Sequence, residues 1–228
     1  MSLILNIETS SSICSVCLSR NGEVISIRET EQEQNHASVL TLFIEELFRK
    51  SNLIFQELET VALSAGPGSY TGLRIGASTA KGMCYALNIP LVAIDSLEAL
   101  ANGYLKKYSP SAETLLCPII DARRMEVYYS LFTSSGKCIS ESINAIVDEN
   151  FLTEFKSKPI HFFGSGAEKV SKVFNDSGNY IFKEFLPSSS FMTTLSFNYF
   201  QQKQFANLAY FEPNYIKPFY FAGGEKQS

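Results

Sequence analysis

The start of the chain alternates short apolar runs with polar turns, a pattern that predicts strands. Leu3–Ile7 is a continuous apolar run, and Ile13–Leu18 and Val24–Arg28 alternate apolar with polar residues. Asn21-Gly22 separates the second run from the third, and this dipeptide is typical of two-residue hairpin turns. The pattern predicts three strands, with Glu8–Ser11 as the polar turn after the first.

The period then changes to that of helices separated by short buried strands. Asn35 is placed to cap a helix from His36 to about Lys50. A strand at Val61–Ser64, a helix at Leu73–Leu87, a strand at Leu91–Ile94 and a helix at Ser96–Leu105 are predicted to follow. The first two helices carry apolar or small residues around more of their surface than one sheet can cover, which predicts a second contact surface on them.

The same order of elements recurs after Tyr108–Ala112, a linker that contains Pro and Ser. Strands are predicted at Leu115–Ile120, Glu126–Phe132, Cys138–Val147, Ile160–Phe163 and Tyr180–Phe182, helices at Glu149–Lys156, Ala167–Asn175 and Phe191–Lys203, and an extended tail at Phe211–Pro218. A repeat of roughly 110 residues indicates a duplicated domain rather than a solenoid. We predict an α/β fold of two lobes, residues 1–107 and 108–228, each with a five-stranded mixed sheet, and with the last helix and tail able to pack back on the first lobe.

This duplicated order is the architecture of the actin-like, sugar-kinase and Hsp70 ATPase fold. In those proteins the first hairpin turn of each half points at the phosphates of a nucleotide. The corresponding turns in this sequence are Glu8–Ser10 and Asp121–Arg123. These two turns and the cleft between the lobes are therefore the positions where the fold predicts a ligand site.

The stretch Ala65–Gly76, which reads A-G-P-G-S-Y-T-G-L-R-I-G, joins a predicted strand to a predicted helix. Its glycines and proline predict a tight turn in which Thr71 caps the helix and Gly72 permits close approach of another backbone. Free N–H groups at a helix start suit an anion, although the Gly-Lys-Ser/Thr of a Walker loop is missing. The residues themselves leave two interpretations open, a phosphate cradle and a close-packed turn.

Composition narrows the classes of protein further. The chain has 228 residues, 45% of them hydrophobic, and a net charge of −4 with a pI near 5.3, which disfavours unaided binding of nucleic acid. Its five cysteines lie in apolar surroundings and are interpreted as reduced core residues, since Cys14 and Cys17 would point to opposite faces of a strand. No secretory signal and no membrane-spanning run is recognised, so we expect a cytoplasmic location.

Several motifs occur along the chain in an order that is characteristic of one family. They are Ile7–Ser10, Gly66–Gly76, Asp121–Arg123 with Glu126–Tyr128, and Glu212–Tyr215. Together they resemble the bacterial TsaB family, also called YeaZ, over essentially the whole chain. Older names for this family are glycoprotease-like or M22 peptidase-like.

The resemblance implies a non-catalytic subunit required for the threonylcarbamoylation of adenosine 37 in tRNA. Such a subunit binds and activates its paralogue TsaD, with the ATPase TsaE as a third member. It would meet tRNA only indirectly, and alone it would form a two-fold homodimer.

The resemblance to TsaD also implies that no metal is held. TsaD uses a His-x-x-x-His pair at the start of the helix after the strand that corresponds to Leu91–Ile94. Ser96 and Leu100 stand at those two positions in this sequence, and neither is a useful ligand for a transition metal. The two histidines of the chain, His36 and His161, are far apart in sequence and are interpreted as structural.

Three other enzyme classes are alternatives at this point. A stand-alone ATP-using enzyme of the sugar-kinase type would need an aspartate at the first turn, where this sequence has Glu8. A metalloprotease would need the missing ligands or a His-Glu-x-x-His motif, and a serine hydrolase would need a G-x-S-x-G elbow; neither motif is found.

The resemblance supplies candidate site residues as well. Nucleotide or phosphate contacts would come from Glu8, Thr9, Ser10, Gly66, Gly68, Ser69, Thr71 and Gly72. The partner interface would be Leu40, Phe43, Leu47, Gly72, Arg74, Gly76, Ala80 and Cys84, on two helices that pack against the matching pair of TsaD as a four-helix bundle. No cofactor is expected to bind tightly, and ATP or ADP is expected only at the partner interface.

Overall fold

Two five-stranded mixed sheets, one in each half of the chain, organise the computed structural model, which describes residues 2–30, 35–174 and 178–217. The strands of the first half are β1 (Leu3–Glu8), β2 (Ser15–Arg20), β3 (Glu23–Glu29), β4 (Thr60–Ser64) and β5 (Leu91–Ile94). Its helices are α1 (His36–Ser51), α2 (Tyr70–Leu87) and α3 (Ser96–Lys107). The strands of the second half are β6 (Leu115–Asp121), β7 (Glu126–Thr133), β8 (Cys138–Ile146), β9 (Ile160–Phe163) and β10 (Tyr180–Lys183), with helices α4 (Ala167–Ser171) and α5 (Thr193–Gln201).

The two sheets have the same strand order. The first runs β3-β2-β1-β4-β5, and the second, read from its other edge, runs β8-β7-β6-β9-β10. In each sheet the first three strands of the half pair antiparallel and the last two add in parallel. The duplicated two-lobe α/β fold of the actin-like type predicted from the sequence is therefore confirmed, while the exact lobe boundary stays a prediction.

The first lobe forms its helices largely where the pattern predicted them. Asn35 caps α1 by accepting a hydrogen bond from the N–H of Ala37 at 3.0 Å, and Asn52 ends the helix in the left-handed conformation. Helix α2 begins at Tyr70, three residues earlier than predicted, and Ser69 rather than Thr71 is its cap, since the Ser69 hydroxyl accepts from the N–H of Gly72 at 3.3 Å. The predicted role of Thr71 is wrong because that residue already lies inside the first helical turn.

The second lobe is less regular than predicted. The helix expected at Glu149–Lys156 is reduced to a 3-10 turn at Thr153–Phe155, because Leu152 adopts the left-handed conformation with φ 54°. Helix α4 ends at Ser171, and the predicted end of that helix lies outside the described residues, as does the last residue of the predicted tail. The predicted helix at Phe191–Lys203 starts as a 3-10 turn before α5.

An apolar seam joins the lobes. Tyr104 of α3 stacks on Phe163 of β9 with ring centroids 3.9 Å apart, and Phe185 meets the Tyr104 ring edge-on at 5.6 Å. Helix α5 returns to the first sheet, where Met192 joins Ile4 in a separate buried cluster. Buried aromatic contacts of this kind are among the larger contributions to packing, so the lobes are tied rather than loosely hinged.

Two further observations concern the exposure of the cysteines and the length of the helices. Four of the five cysteines are buried as predicted, but Cys138 is exposed at the start of edge strand β8, so its interpretation as a core residue is wrong. Among the described residues, no helix has both the length and the apolar character needed to cross a membrane.

Two glycines of α2 provide a matched stability test. A Cβ at Gly72 would collide with the backbone carbonyl oxygen of Thr9, whereas a Cβ at Gly82 would meet nothing within 4 Å. We expect Gly72→Ala to lower the free energy of unfolding by about 1–3 kcal/mol through overpacking. Gly82→Ala should raise it by up to about 1 kcal/mol, because alanine is the better helix former.

Urea denaturation of both variants measures these changes. Equal effects of the two substitutions would contradict the close approach of α2 to Thr9.

Candidate functional site

The candidate site lies at one edge of the first sheet. Strands β1, β4 and β5 are parallel neighbours, so their carboxyl ends reach the same edge, where ligands bind in open α/β sheets. The turn Thr9–Ser10 leaves β1 there, and the stretch from Ala65 to Ser69, here called the glycine turn, leaves β4 there. The structure thus brings together the two segments that the sequence predicted to share a site.

Glu8 is fully buried at this edge. Its Oε1 accepts hydrogen bonds from the N–H of Ser10 at 2.6 Å and from the hydroxyl of Ser64 at 3.0 Å, while Oε2 has no partner among the described residues. Burial raises the pKa of the Glu8 carboxyl, and the hydrogen bonds from Ser10 and Ser64 and the nearby His36 oppose that rise. The carboxyl is therefore part of the lobe interior rather than an open ligand of a cleft.

The glycine turn uses its own N–H groups within the chain. The N–H of Ser69 donates to the carbonyl of Ser10 at 2.7 Å, and the N–H of Gly72 donates to the Ser69 hydroxyl. A Cβ at Gly68 would collide with the carbonyl oxygen of Ser10, and Gly66 has a φ of 105°. The geometry is that of a close-packed turn.

The eight predicted phosphate contacts all lie at the end of β1, in the turn after it, in the glycine turn or in the first turn of α2. Ser69 and Thr71 are the exposed members of this set. The contact of any of these residues with phosphate stays a prediction.

The corresponding turn of the second lobe is more open. Asp121 Oδ1 accepts from the N–H of Arg123 at 2.6 Å and from Lys169 Nζ at 2.9 Å. Arg123 and Arg124 both have positive φ, 67° and 51°, and both are exposed. The first turn is thus sealed by packing, whereas this one presents two arginines to the outside.

Residues 206–217, here called the tail segment, connect the two turns. Ala206 pairs with Leu91 at the edge of β5, and the N–H of Asn214 donates to the carbonyl of Ala65 at 2.6 Å. Tyr215 packs against Tyr70, with ring centroids 4.7 Å apart.

Beyond Tyr215 the tail segment reaches the second lobe. Lys217 forms an ion pair with Glu126 and donates to the carbonyl of Ala122 at 3.4 Å. The hydrogen bond from Lys217 lowers the pKa of Glu126. Sequence reasoning missed this connection, for which the motif Glu212–Tyr215 was the only signal.

The start of α3 is built from hydrogen bonds and apolar packing. Asp95 caps the helix by accepting from the N–H groups of Leu97 and Glu98 at 2.8 and 3.1 Å, and its other oxygen accepts from Ser142 of β8 at 2.7 Å. Ser96 and Leu100 are each 1% exposed, and Leu100 belongs to the apolar seam between the lobes.

No metal-binding group of three or more His, Cys, Asp or Glu side chains occurs in the part of the chain that the structure describes. His36 is the first residue of α1, and His161 in β9 has its Nδ1 3.0 Å from the hydroxyl of Tyr104. The expected absence of a metal remains a prediction.

The predicted partner interface needs a correction. Gly72, Gly76, Ala80 and Cys84 are all buried within the chain, as are Leu40 and Leu47, so none of them is available to a partner. The physical reason is that the small-residue face of α2 is the one that can approach Thr9 closely, so this face covers the chain's own sheet. Of the predicted interface residues, Arg74 is exposed, and Phe43 is half-buried beneath the guanidinium of Arg28.

The outward face of the two helices carries different residues. On α2 it consists of Ser78, Gly82, Tyr85 and Ala86, and Tyr85 is 84% exposed. On α1 it includes Leu42, which is 55% exposed. Sequence periodicity assigned the buried row of small residues to the partner instead, because it shows that a helix has a distinct face and not what that face contacts.

Comparison with known proteins relates the chain to one family. The family model described as TsaD, tRNA N6-adenosine threonylcarbamoyltransferase, matches residues 23–218. The tRNA threonylcarbamoyladenosine biosynthesis protein TsaB of Bacillus subtilis (strain 168) is 30% identical over 181 residues, which cover 76% of this chain and 75% of that protein. The protein of the same name from Haemophilus influenzae is 35% identical over 127 residues, 56% of this chain and 52% of that one.

A solved structure supports the same fold. YeaZ from Pseudomonas aeruginosa superimposes with a TM-score of 0.80 at 22% identity, covering 94% of this chain and all of that one. At this level of identity the likeness bears on the fold alone.

Burial of Glu8 gives a pH prediction. Because its pKa is raised in the folded chain above the ordinary 4.5, the folded state holds the proton at pH values where the unfolded chain has lost it. The contribution of Glu8 to stability therefore falls as the pH rises from 4.5 through the raised pKa. Glu8→Gln keeps the acceptor Oε1 but cannot ionise, so the stability of wild type relative to this variant should decline over that range.

Urea denaturation at a series of pH values from 4.5 to neutrality measures the difference. A difference between the two proteins that does not change with pH would contradict the burial of the carboxyl.

Proposed function

The chain belongs to the TsaB (YeaZ) family, paralogues of the tRNA threonylcarbamoyltransferase TsaD, and from this premise we propose that it takes part in tRNA threonylcarbamoyladenosine biosynthesis as a non-catalytic subunit. In this proposal it binds and activates TsaD, with TsaE as a third member. Alone it pairs with a second copy through the same surface. Its place of work is the cytoplasm, where tRNA is modified.

The names of the relatives support the pathway. Both curated relatives described above are called tRNA threonylcarbamoyladenosine biosynthesis proteins, and the family model is that of the transferase itself. Two paralogues share a fold, so they present similar surfaces to each other. A paralogue that differs from the enzyme at the reaction centre can therefore serve as the partner of that enzyme.

The observation that carries the partner role is the outward face of α1 and α2. Leu42 of α1 and Tyr85 of α2 are large side chains exposed to solvent, and Gly82, three residues before Tyr85, leaves open space where a Cβ would stand. Large exposed side chains on two helices, with a glycine on the same helix as one of them, suit packing against another pair of helices. This face replaces the buried stripe as our proposed contact with TsaD.

The closed edge of the first lobe supports a non-catalytic role. The Glu8 carboxyl is buried, and the N–H groups of Ser69 and Gly72 are engaged within the chain. A kinase-type enzyme would need these groups directed at a nucleotide and its metal. We therefore propose that the isolated chain binds ATP or ADP weakly. Any nucleotide-binding site would be completed by groups of the partner at the interface.

Ser96 and Leu100 support the absence of metal chemistry in this chain. Leu100 is committed to the apolar seam, and the Ser96 hydroxyl is a poor ligand for a transition metal. The metalloprotease alternative finds no supporting group in the described residues.

A charge substitution tests the outward face. Gly82→Arg should abolish complex formation with TsaD, or weaken it at least roughly tenfold, because the partner would have to bury an unpaired charge. The variant should fold normally, since a Cβ at Gly82 has open space and arginine favours a helix more than glycine does. Size-exclusion chromatography and titration calorimetry with TsaD measure the binding, and a reconstituted tRNA modification assay measures the consequence.

A matched control carries the same new charge elsewhere. Asn198→Arg lies at an exposed position of α5, away from α1 and α2, and should bind TsaD as wild type does. If folded Gly82→Arg also bound TsaD with wild-type affinity, the interface would lie elsewhere.

Another prediction concerns metal content. We expect elemental analysis of the purified protein to find zinc and iron well below one equivalent per chain, because neither Ser96 nor Leu100 supplies a ligand. One tightly held metal per chain, retained through chelator treatment, would overturn the assignment of a non-catalytic paralogue.

A further inference from the structure

We propose that the surface built where the tail segment crosses between the lobes contacts RNA, and that this chain therefore touches the tRNA directly. The proposal rests on the proposed function for the identity of the RNA. The surface consists of Tyr70, Arg74, Tyr215, Arg123 and Arg124, and it is defined by contacts that no sequence motif on its own reveals. On α2 it adjoins the outward face that we assign to TsaD, because Arg74 lies one helical turn before Ser78.

One end of this surface is an aromatic and guanidinium platform. The Arg74 guanidinium lies 4.2 Å from the centre of the Tyr70 ring, and its Nε donates to the Tyr215 hydroxyl at 3.3 Å. These contacts hold an exposed arginine in one orientation beside two tyrosine rings. Rings and guanidinium planes are the groups on which unpaired bases of RNA stack, and the guanidinium also pairs with phosphate.

The other end is the pair Arg123 and Arg124. Both side chains are exposed, and neither forms an ion pair or hydrogen bond with any residue that the structure describes. The nearby carboxylates of Asp121 and Glu126 are already paired with Lys169 and Lys217. Two successive non-glycine residues with positive φ are uncommon, and here they lie in an exposed turn where neither guanidinium forms an ion pair with a described residue.

The tail segment joins these two ends into one surface. Tyr215 touches Arg74, and Lys217, two residues and about 7 Å of extended chain further on, reaches the carbonyl of Ala122 next to Arg123. The carboxylate of Glu212 acts on Arg74 and partly offsets its charge. Glu126 acts in the same way on Arg124, although its carboxylate is already paired with Lys217, and the chain as a whole is acidic, with a net charge of −4.

An extended polyanion with exposed bases fits this surface better than a compact anion does. The cations are spread along the path of the tail segment rather than gathered in one pocket. The two tyrosine rings can stack on a base but gain no comparable contact from a phosphate alone. RNA supplies both spaced phosphates and stacking surfaces. An acidic protein segment would use the arginines alone.

The experiment measures binding of a fluorescently labelled tRNA transcript to the isolated chain across a range of KCl concentrations. Arg123→Glu combined with Arg124→Glu should weaken binding at least tenfold at low salt and reduce the slope of log K against log salt by about 1 to 2, as expected for two lost phosphate contacts. Tyr215→Ala should weaken binding with little change in that slope, since a stacking contact is lost.

A charge-matched control separates this site from a general electrostatic effect. Lys156→Glu combined with Lys158→Glu makes the same change in net charge at exposed positions elsewhere in the second lobe and should have a much smaller effect. Circular dichroism and thermal unfolding establish that each variant is folded. Crosslinks from a 4-thiouridine-substituted transcript should map to peptides that contain Tyr70 or Tyr215.

Three outcomes would overturn the proposal. They are no binding of tRNA by wild type at low salt, an equal loss in the arginine variant and the lysine control, and competition by polyglutamate as effective as that by unlabelled tRNA, which would indicate an acidic protein partner. Because TsaD is absent from this assay, its failure is distinct from failure of the proposed function.

Discussion

The close approach of α2 to the turn after β1 is the constraint on which much of this structure depends. Gly68, Gly72 and Gly76 all lie where a Cβ would collide with Thr9 or Ser10. Because two backbones can come this near only without intervening side chains, the glycines decide where α2 sits on the sheet. That position decides which face of the helix is buried and which is left for a partner.

The same packing engages, within the chain, groups at this edge of the sheet that could otherwise bind a ligand. Hydrogen bonds that could serve a phosphate are used between Ser69 and Ser10, and the carboxylate that could serve a metal is enclosed with Ser64. A buried carboxyl with a raised pKa is a costly group in a lobe interior, offset in part by its two hydrogen bonds. The fold is retained while the groups of its usual ligand site serve the lobe's own structure, which is consistent with a supporting subunit.

Two further sets of contacts hold one lobe in a fixed position against the other. The aromatic seam around Tyr104 and Phe163 lies inside, and the tail segment with Tyr215 and Lys217 lies outside, across the edge where both turns end. Tying the lobes at both places limits the closure that enzymes of this architecture use around a nucleotide. It also places groups from both lobes, Arg74 and Arg123 among them, on one continuous outer surface.

The sequence by itself determined the order of strands and helices along the chain, the duplication, the helix cap at Asn35 and the position of the glycine turn, because periodicity and turn chemistry are local signals that survive without tertiary contacts. It could not predict the loss of the helix before β9, which depends on the left-handed backbone at Leu152. It found the stripe from Gly72 to Cys84 but not its direction, since a pattern records that a face is special and not what it touches. Only the tertiary structure decided that this stripe is internal, that Glu8 is enclosed, and that the tail segment joins Arg74 to the second lobe, because each of these depends on contacts between residues far apart in the chain.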